Sequence, residues 1–302
     1  MKDLYEIAGL TRQGFWKHQQ RERERAERVR RVLSLLHEVR SSGHSQMGCR
    51  TAYWKVRDRS PVGRDLFERI GLGHGFRVKR RRNKRKTTIG QTQEVCPNRV
   101  EGLEINRMDQ VWQSDICYVP LQGKHLYVVT IIDVYSRRLL AFHPGRTLEA
   151  KETAKALKMA IQARGGQVPE GCIFHSDRGT QYVSQEVKKV LQEHGFNRSM
   201  AKLPQENAYA ERVQGTIKHQ YLRDTIIDPV RPQVALNRAM RLYNSGRPHK
   251  SLGYMTPIEY EGMIISTPNN LRPVMRAYKW DHGFPQNQHS PQKEKSNKKE
   301  KV

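Results

Sequence analysis

Along the 302-residue chain the spacing of apolar positions changes character near residue 109, from a helical period to the signature of strands. Before that point Val29, Val32, Leu33, Leu36 and Val39 recur at helical spacing within a stretch where Arg and Glu alternate. That pattern predicts a helix over about 22–40 with a single apolar stripe on a charged surface. Ser41-Ser42-Gly43 breaks it, and Cys49, Ala52, Tyr53 and Val56 mark a second helix. Ser60-Pro61 reads as a restart, since Ser caps free amides and Pro suits a first turn. A third helix then places Val62, Leu66, Phe67 and Ile70 on one face and ends at Gly71-Leu72-Gly73. From Asp109 the pattern predicts strands at 111–119, 125–135 and 138–143, joined by turns at 122–124 and at Ser136-Arg137. The middle strand is β-branched and apolar on both faces over 126–132, as a central strand should be. A helix over 147–163 with Thr147 as its cap, a strand over 172–174, a helix from Ser184 to Gly195, a short strand and a helix from Asn207 complete the series. The order is that of a mixed α/β sheet flanked by helices.

Charge adds a partner to this picture. Lys and Arg number 55 against 30 Asp and Glu, a formal net charge of +25 that favours a polyanion over a neutral small molecule. Residues 1–90 contribute 24 Lys/Arg against 9 Asp/Glu and so carry +15 of the total. Three helices with a basic surface resemble a helix-turn-helix unit whose last helix would present Arg64, Asp65, Glu68 and Arg69 outward, with Arg64 and Arg69 as DNA contacts. A solvated helical bundle has the same spacing. Eight of the ten residues 77–86 are Lys or Arg, a run that cannot pack a core and suits phosphate neutralisation through Arg80, Arg81, Arg82, Lys84, Arg85 and Lys86. No run approaches the roughly 18 apolar residues of a membrane span. Cys49, Cys96, Cys117 and Cys172 are too far apart for a C-x-x-C pair and read as thiols of a reducing, cytoplasmic compartment. The domains expected are a helical DNA-binding region over 1–90, a catalytic core over 100–262 and a basic, largely disordered tail over 263–302.

Three carboxylates stand where carboxylates are disfavoured or need an explanation. Asp115 lies mid-strand among Trp112, Ile116 and Tyr118. Asp177 follows the apolar run 171–174 in His175-Ser176-Asp177-Arg178-Gly179, which is also an ordinary turn composition. Glu211 opens a helix, and Lys218 lies seven residues on, two turns along the same face. A carboxylate backed by a cation on one stripe suits a phosphate-bearing, metal-loaded cleft.

Taken together, four stretches resemble the OrfB transposases of the IS-three family, members of the retroviral-integrase superfamily of DDE enzymes. They are Trp112-Gln113-Ser114-Asp115-Ile116-Cys117-Tyr118-Val119-Pro120, Ile132-Asp133-Val134-Tyr135-Ser136-Arg137-Arg138, His175-Ser176-Asp177-Arg178-Gly179-Thr180-Gln181-Tyr182 and Asn207-Ala208-Tyr209-Ala210-Glu211. Residues 243–257 look like the carboxy-terminal signature of the same family. The resemblance implies a ribonuclease H-like core and a catalytic triad of Asp115, Asp177 and Glu211 binding two Mg²⁺ ions, with Mn²⁺ able to substitute. Three carboxylates from separate elements suit two hard divalent ions that stabilise attacking and leaving oxygens in phosphoryl displacement. It further implies that Lys218 contacts a terminal phosphate, that Asn207 orients Glu211 or meets DNA, and that double-stranded transposon ends and target DNA are the partners. A homo-oligomer on DNA, an upstream OrfA protein or an OrfA-OrfB frameshift fusion, and a prokaryotic, nucleoid-associated location go with it. Two departures stand out. The interval from Asp177 to Glu211 is shorter than the family's usual one, with the loss around 202–205, which leaves Glu206 as a weaker third candidate. The retroviral zinc module is also missing, and His175 and His249, each without a partner at ligand spacing, suit supporting or phosphate-contacting roles.

A non-catalytic DNA-binding regulator and a structure-specific nuclease of the same fold are the rival readings. The basic run yields a direct expectation: neutralising Arg80, Arg81 and Arg82 together weakens binding to every DNA sequence and flattens its salt dependence. Loss confined to the terminal repeat, measured by titration at several salt concentrations, would contradict it.

Overall fold

A computed structural model describes residues 11–78, 96–122, 124–201 and 204–276. The basic side chains of Arg80, Arg81, Arg82, Lys84, Arg85 and Lys86 lie outside these residues, as does the chain beyond Arg276.

Helix α1 (Arg12–Ser41) starts at Thr11, whose Oγ1 accepts the Gly14 amide at 3.0 Å, ten residues before the periodicity predicts. Its buried residues, Val32, Leu35, Leu36 and Val39, all lie in the second half. The first half has no apolar stripe to reveal it. Helices α2 (Cys49–Val56) and α3 (Arg64–Gly73) close a small core with that end of α1 around fully buried Phe67. Ser60 does not cap α3. Gly63 is the N-cap and offers no side-chain bond, while the Ser60 hydroxyl donates to the Val62 carbonyl at 2.8 Å. On the outward side of α3, Arg64 pairs with Asp65, and Glu68 accepts from Arg50, so acids balance bases there.

Strands β2 (Val111–Leu121), β3 (Lys124–Asp133) and β4 (Leu139–Gly145) form the expected antiparallel meander, preceded by the short β1 (Glu104–Ile105). Strand β5 (Ile173–Ser176) joins β2 in parallel and β6 (Asn197–Met200) joins β5, giving the order β4-β3-β2-β5-β6. That is the sheet of a ribonuclease H-like catalytic core, as expected. Helices α4 (Ala150–Gln162) and α5 (Gln185–Glu193) cover one face, packing Leu157 and Val190 with Trp112 and Phe174. Helices α6 (Ala208–Ile217) and α7 (Pro232–Gly246) cover the other, where Val213 and Leu236 meet Cys117, Val128 and Leu139. Ser184 caps α5 by accepting the Val187 amide, but Thr147 does not cap α4, which begins at Ala150 behind an uncapping Glu149. Cys49, Cys117 and Cys172 are buried and Cys96 is half-buried, all of them free thiols.

The core does not end at residue 262. Helix α8 (Pro257–Ser266) starts in a capping box between Thr256 and Glu259, and β7 (Met275–Arg276) returns to pair antiparallel with β1. Ile105 and Met275 face each other in that ladder, both fully inaccessible. Residues 263–276 therefore belong to the fold rather than to a disordered tail; their apolar anchors are too few and too scattered among Pro and Asn to show a period. The helical region is seated on the core by His44 Nδ1 at 3.2 Å from the Tyr221 hydroxyl, by Gln46 on Asp224, and by Trp54 stacked on Tyr254 at 4.0 Å. No helix among the described residues is long and apolar enough to cross a membrane.

A buried polar cluster ties the β3–β4 turn to α8. Arg164 donates to Asp109 at 2.8 Å and with two nitrogens to Glu261 at 3.0 and 2.7 Å. Asp133, fully buried, accepts the Asp109 amide on one oxygen and the Ser136 amide on the other. The single Ser136 hydroxyl lies 2.6 Å from Asp133 and 2.7 Å from Glu261, so only one of those two acid oxygens receives its proton. Burial, followed by the neighbouring Asp109 charge, pushes Asp133 up to about 7. The folded state thus holds a proton that the unfolded chain releases near its ordinary value of 3.8, and stability falls as pH rises from about 4 to about 7. Asp133→Asn, which mimics the protonated acid, is expected to remove that component. Thermal melting across this range should show the wild type losing ground to the variant as pH rises, and parallel curves would refute the assignment.

Candidate active site

The three expected carboxylates come from three separate elements. Asp115 sits in the middle of β2, opposite Thr130 of β3, and is half-buried. Asp177 immediately follows β5, and its Oδ1 accepts the Gly179 amide at 3.1 Å, so the turn composition of His175-Ser176-Asp177-Arg178-Gly179 is used as a turn as well. Glu211 lies in the first turn of α6 with its side chain in solvent, while Ala210, Val213, Gln214 and Ile217 are buried.

These acids share one electrostatic field. Burial first, then the charge of Asp177 and more weakly that of Glu211, push Asp115 up to about 7, against a bond from the Ile116 amide and the nearby Lys218. Asp177 is raised as well, chiefly by desolvation, although its side chain reaches solvent. Among the described residues no ion pair is formed by Asp115, Asp177 or Glu211, and no trio of His, Cys, Asp or Glu stands close enough to enclose a metal ion. Carboxylate oxygens from three elements, none of them in an ion pair among the described residues, are the type of donor that a hard divalent cation takes.

Lys218 opens a π-helical turn, Lys218–Leu222, that continues α6, and its charge reaches both Asp115 and Cys117. It lies on the carboxylate side, as its spacing from Glu211 suggests. Of the two roles expected for Asn207, the structure bears on the orienting one: the residue is buried, and its Nδ2 donates to the Ser114 carbonyl of β2 at 3.0 Å. His175 is fully buried with Nδ1 2.9 Å from the Ser199 hydroxyl, and His249 is buried beside Tyr243. Burial holds both histidines neutral, His175 down to about 4.

Sequence spacing misses the residues that hold Glu211 in place. Gln113 is fully buried two positions before Asp115, hence on the same face of β2. Its Nε2 donates to the Glu206 carbonyl at 3.0 Å and its Oε1 accepts the Ala210 amide at 3.3 Å, bracketing the entry to α6. Together with Asn207 on Ser114, this fastens the Glu211 helix to the Asp115 strand. From the far side, Arg137 lies beneath Tyr209 with its guanidinium carbon 3.9 Å from the ring centroid. A glutamine at period two from an in-strand aspartate, on a face otherwise apolar, is the signal that was available.

Integrase core domain models match residues 105–203 and 196–257, a span that takes in all three acids and the carboxy-terminal signature. An uncharacterized 31 kDa protein of insertion element IS600 from Shigella sonnei is 28% identical over 273 residues, covering 85% of this chain and 97% of the relative. The transposase for insertion sequence element IS629 of the same organism is 28% identical over 258 residues, covering 84% and 86%. The chain belongs to the integrase-core transposases of insertion sequences. Among solved structures, the HTLV-2 integrase catalytic core domain in complex with magnesium aligns over 51% of this transposase and 96% of its own length, at 20% identity and a TM-score of 0.43.

The clamp around α6 makes the transposase testable without touching an acid. Gln113→Ala strands the Ala210 amide and removes one donor from the Glu206 carbonyl, and is expected to cost about 1–3 kcal/mol of stability. Misplacing Glu211 should also slow strand cleavage by roughly a hundredfold. Lowered melting temperature with an unchanged cleavage rate would show the clamp to be structural only.

Proposed function

We propose that Asp115, Asp177 and Glu211 form the catalytic centre of a DNA transposase that cleaves transposon ends and joins them to target DNA. The observation that supports this reading is that the charges of Asp177, at the end of β5, and of Glu211, on α6, both act on Asp115 of β2, within a chain that resembles insertion-sequence transposases. A buried regulator would gain nothing from such repulsion, which costs folding free energy.

Asp115, Asp177 and Glu211 would hold two divalent cations, Mg²⁺ with Mn²⁺ as substitute. When bound, such ions neutralise charge at the reacting phosphate and lower the pKa of a water or hydroxyl nucleophile. Lys218 supplies a cation beside Asp115, placed to bind a DNA phosphate at the cleft. Asp177, tied by the Gly179 amide, keeps one oxygen directed by the turn. Gln113, Asn207 and Arg137 keep Glu211 from drifting away from the β2 acid. None of the side chains need bond covalently to DNA, so strand transfer requires no nucleophilic Ser or Tyr. Double-stranded transposon ends and target are the substrates, and synapsis of two ends calls for an oligomer assembled on DNA. Activity in the cell is assigned to this chain or to its frameshift fusion with an upstream OrfA protein.

Incubation with terminal-repeat duplex and Mg²⁺ separates this reading from its rivals. Glu211→Gln and Asp177→Asn are expected to bind DNA as the wild type does and to neither nick nor join it. Cleavage equal to wild type would remove those residues from the centre. Hydrolysis of an RNA–DNA hybrid without any joining would instead favour a nuclease.

A further inference from the structure

One cavity lies away from the acids. It is a cleft of about 600 Å³ between the helical region and α7, and none of Asp115, Asp177, Glu211 or Lys218 lines it. One wall is the end of α1 and of α2, with Lys55 and Arg59; the other is α7, with Arg238 and Arg241. Its one carboxylate, Glu38, is already engaged by Arg59 through two bonds of 3.0 and 2.6 Å. Lys55 donates only to the Gly246 carbonyl at 3.2 Å, and neither Arg238 nor Arg241 pairs with an acid among the described residues. Three cations therefore face one another across the gap with no counter-charge.

The geometry of α7 gives these charges a direction. The helix buries Leu236, Ala239, Tyr243 and Asn244, which leaves Arg238, Arg241 and Ser245 on the cleft side at positions i, i+3 and i+7. Seven residues of helix span about 10 Å, close to the axial rise of about three successive phosphates on one DNA strand. The floor is apolar, formed by Val39, Val56 and Leu242. Leu242 reaches it because Gly43 has φ +96 and no side chain; a Cβ there would sit 3.0 Å from the Leu242 methyl. A row of unpaired cations above an apolar floor suits a sugar–phosphate edge, whose deoxyribose is apolar and whose phosphates are charged.

We propose that this cleft binds the phosphate backbone of duplex DNA, without sequence readout, as a site separate from the catalytic acids. His44, which lines the cleft, contacts Tyr221 in the π turn that begins at Lys218. The positive surroundings agree: after burial, Lys55 and Arg247 help hold His44 down at about 4.

The test is a salt titration of duplex binding by the full chain, comparing wild type with the double variant Arg238→Gln/Arg241→Gln and with Arg238→Lys/Arg241→Lys. The glutamine pair is expected to lower the slope of log affinity against log salt by about two, for random and terminal-repeat DNA alike, with an unchanged melting temperature. The lysine pair should keep the wild-type slope. An unchanged slope in the glutamine variant overturns the proposal, as does a lysine variant as impaired as the glutamine one, because packing rather than charge would then be responsible. Stabilisation of the wild type by inorganic phosphate, with DNA binding unaffected by the substitutions, would assign the cleft to a small anion. Altered sedimentation with unaffected DNA binding would assign it to a protein partner. The slope is read without divalent cation and without cleavage, so failure here and failure of the catalytic assignment are distinguishable.

Discussion

Placing Asp115 in the partly buried middle of β2, within reach of the charges of Asp177 and Glu211, is the constraint that the rest of the core answers. Like charges gathered near a partly buried strand separate unless the elements that bear them are fixed by something else. The sheet fixes two of them, because β2 and β5 are neighbours joined by backbone bonds. Glu211 has no such ladder, and its helix is held instead by Gln113, by Asn207 and by the Arg137–Tyr209 contact. These contacts lie beside the acids or directly behind them, so the Asp115 strand and the Glu211 helix move as one body.

A second polar cluster does the same for the carboxy-terminal part. Arg164 gathers Asp109 and Glu261, and Ser136 links Asp133 to Glu261, so α8 is fastened to the β3–β4 turn. Buried charges of this kind add little net stability, since desolvation offsets attraction, but they specify one arrangement strongly because any partner left alone is costly. The Asp133 stretch that marks the family is therefore a structural motif in this chain. The proposed catalytic acids differ from the structural ones in one respect: among the described residues the latter form ion pairs and the former do not.

The same distinction organises the surface. Arg59, Arg64 and Arg50 are engaged by Glu38, Asp65 and Glu68, so these three cations of the helical region are already neutralised. Net charge alone would have placed DNA on the outward face of α3. In the gap between that region and α7, Lys55, Arg238 and Arg241 line one cleft with no ion pair among the described residues.

The chain by itself determined the order of elements and the three-strand meander, and it singled out the three acids as candidates. Each of these rests on local signals: β-branched runs, turn residues, and carboxylates where a strand or turn tip disfavours them. What the tertiary structure alone decided was pairing. The role of Asn207, the clamp formed by Gln113, the return of β7 onto β1 and the unpaired cations of α7 all depend on contacts between residues from 93 to more than 170 positions apart. No periodicity encodes such contacts, because a single hydrogen bond or charge pair leaves no repeat in the sequence. The amino-terminal half of α1 escaped for the opposite reason: it is a helix without a buried face, so the spacing that announces helices was never needed there.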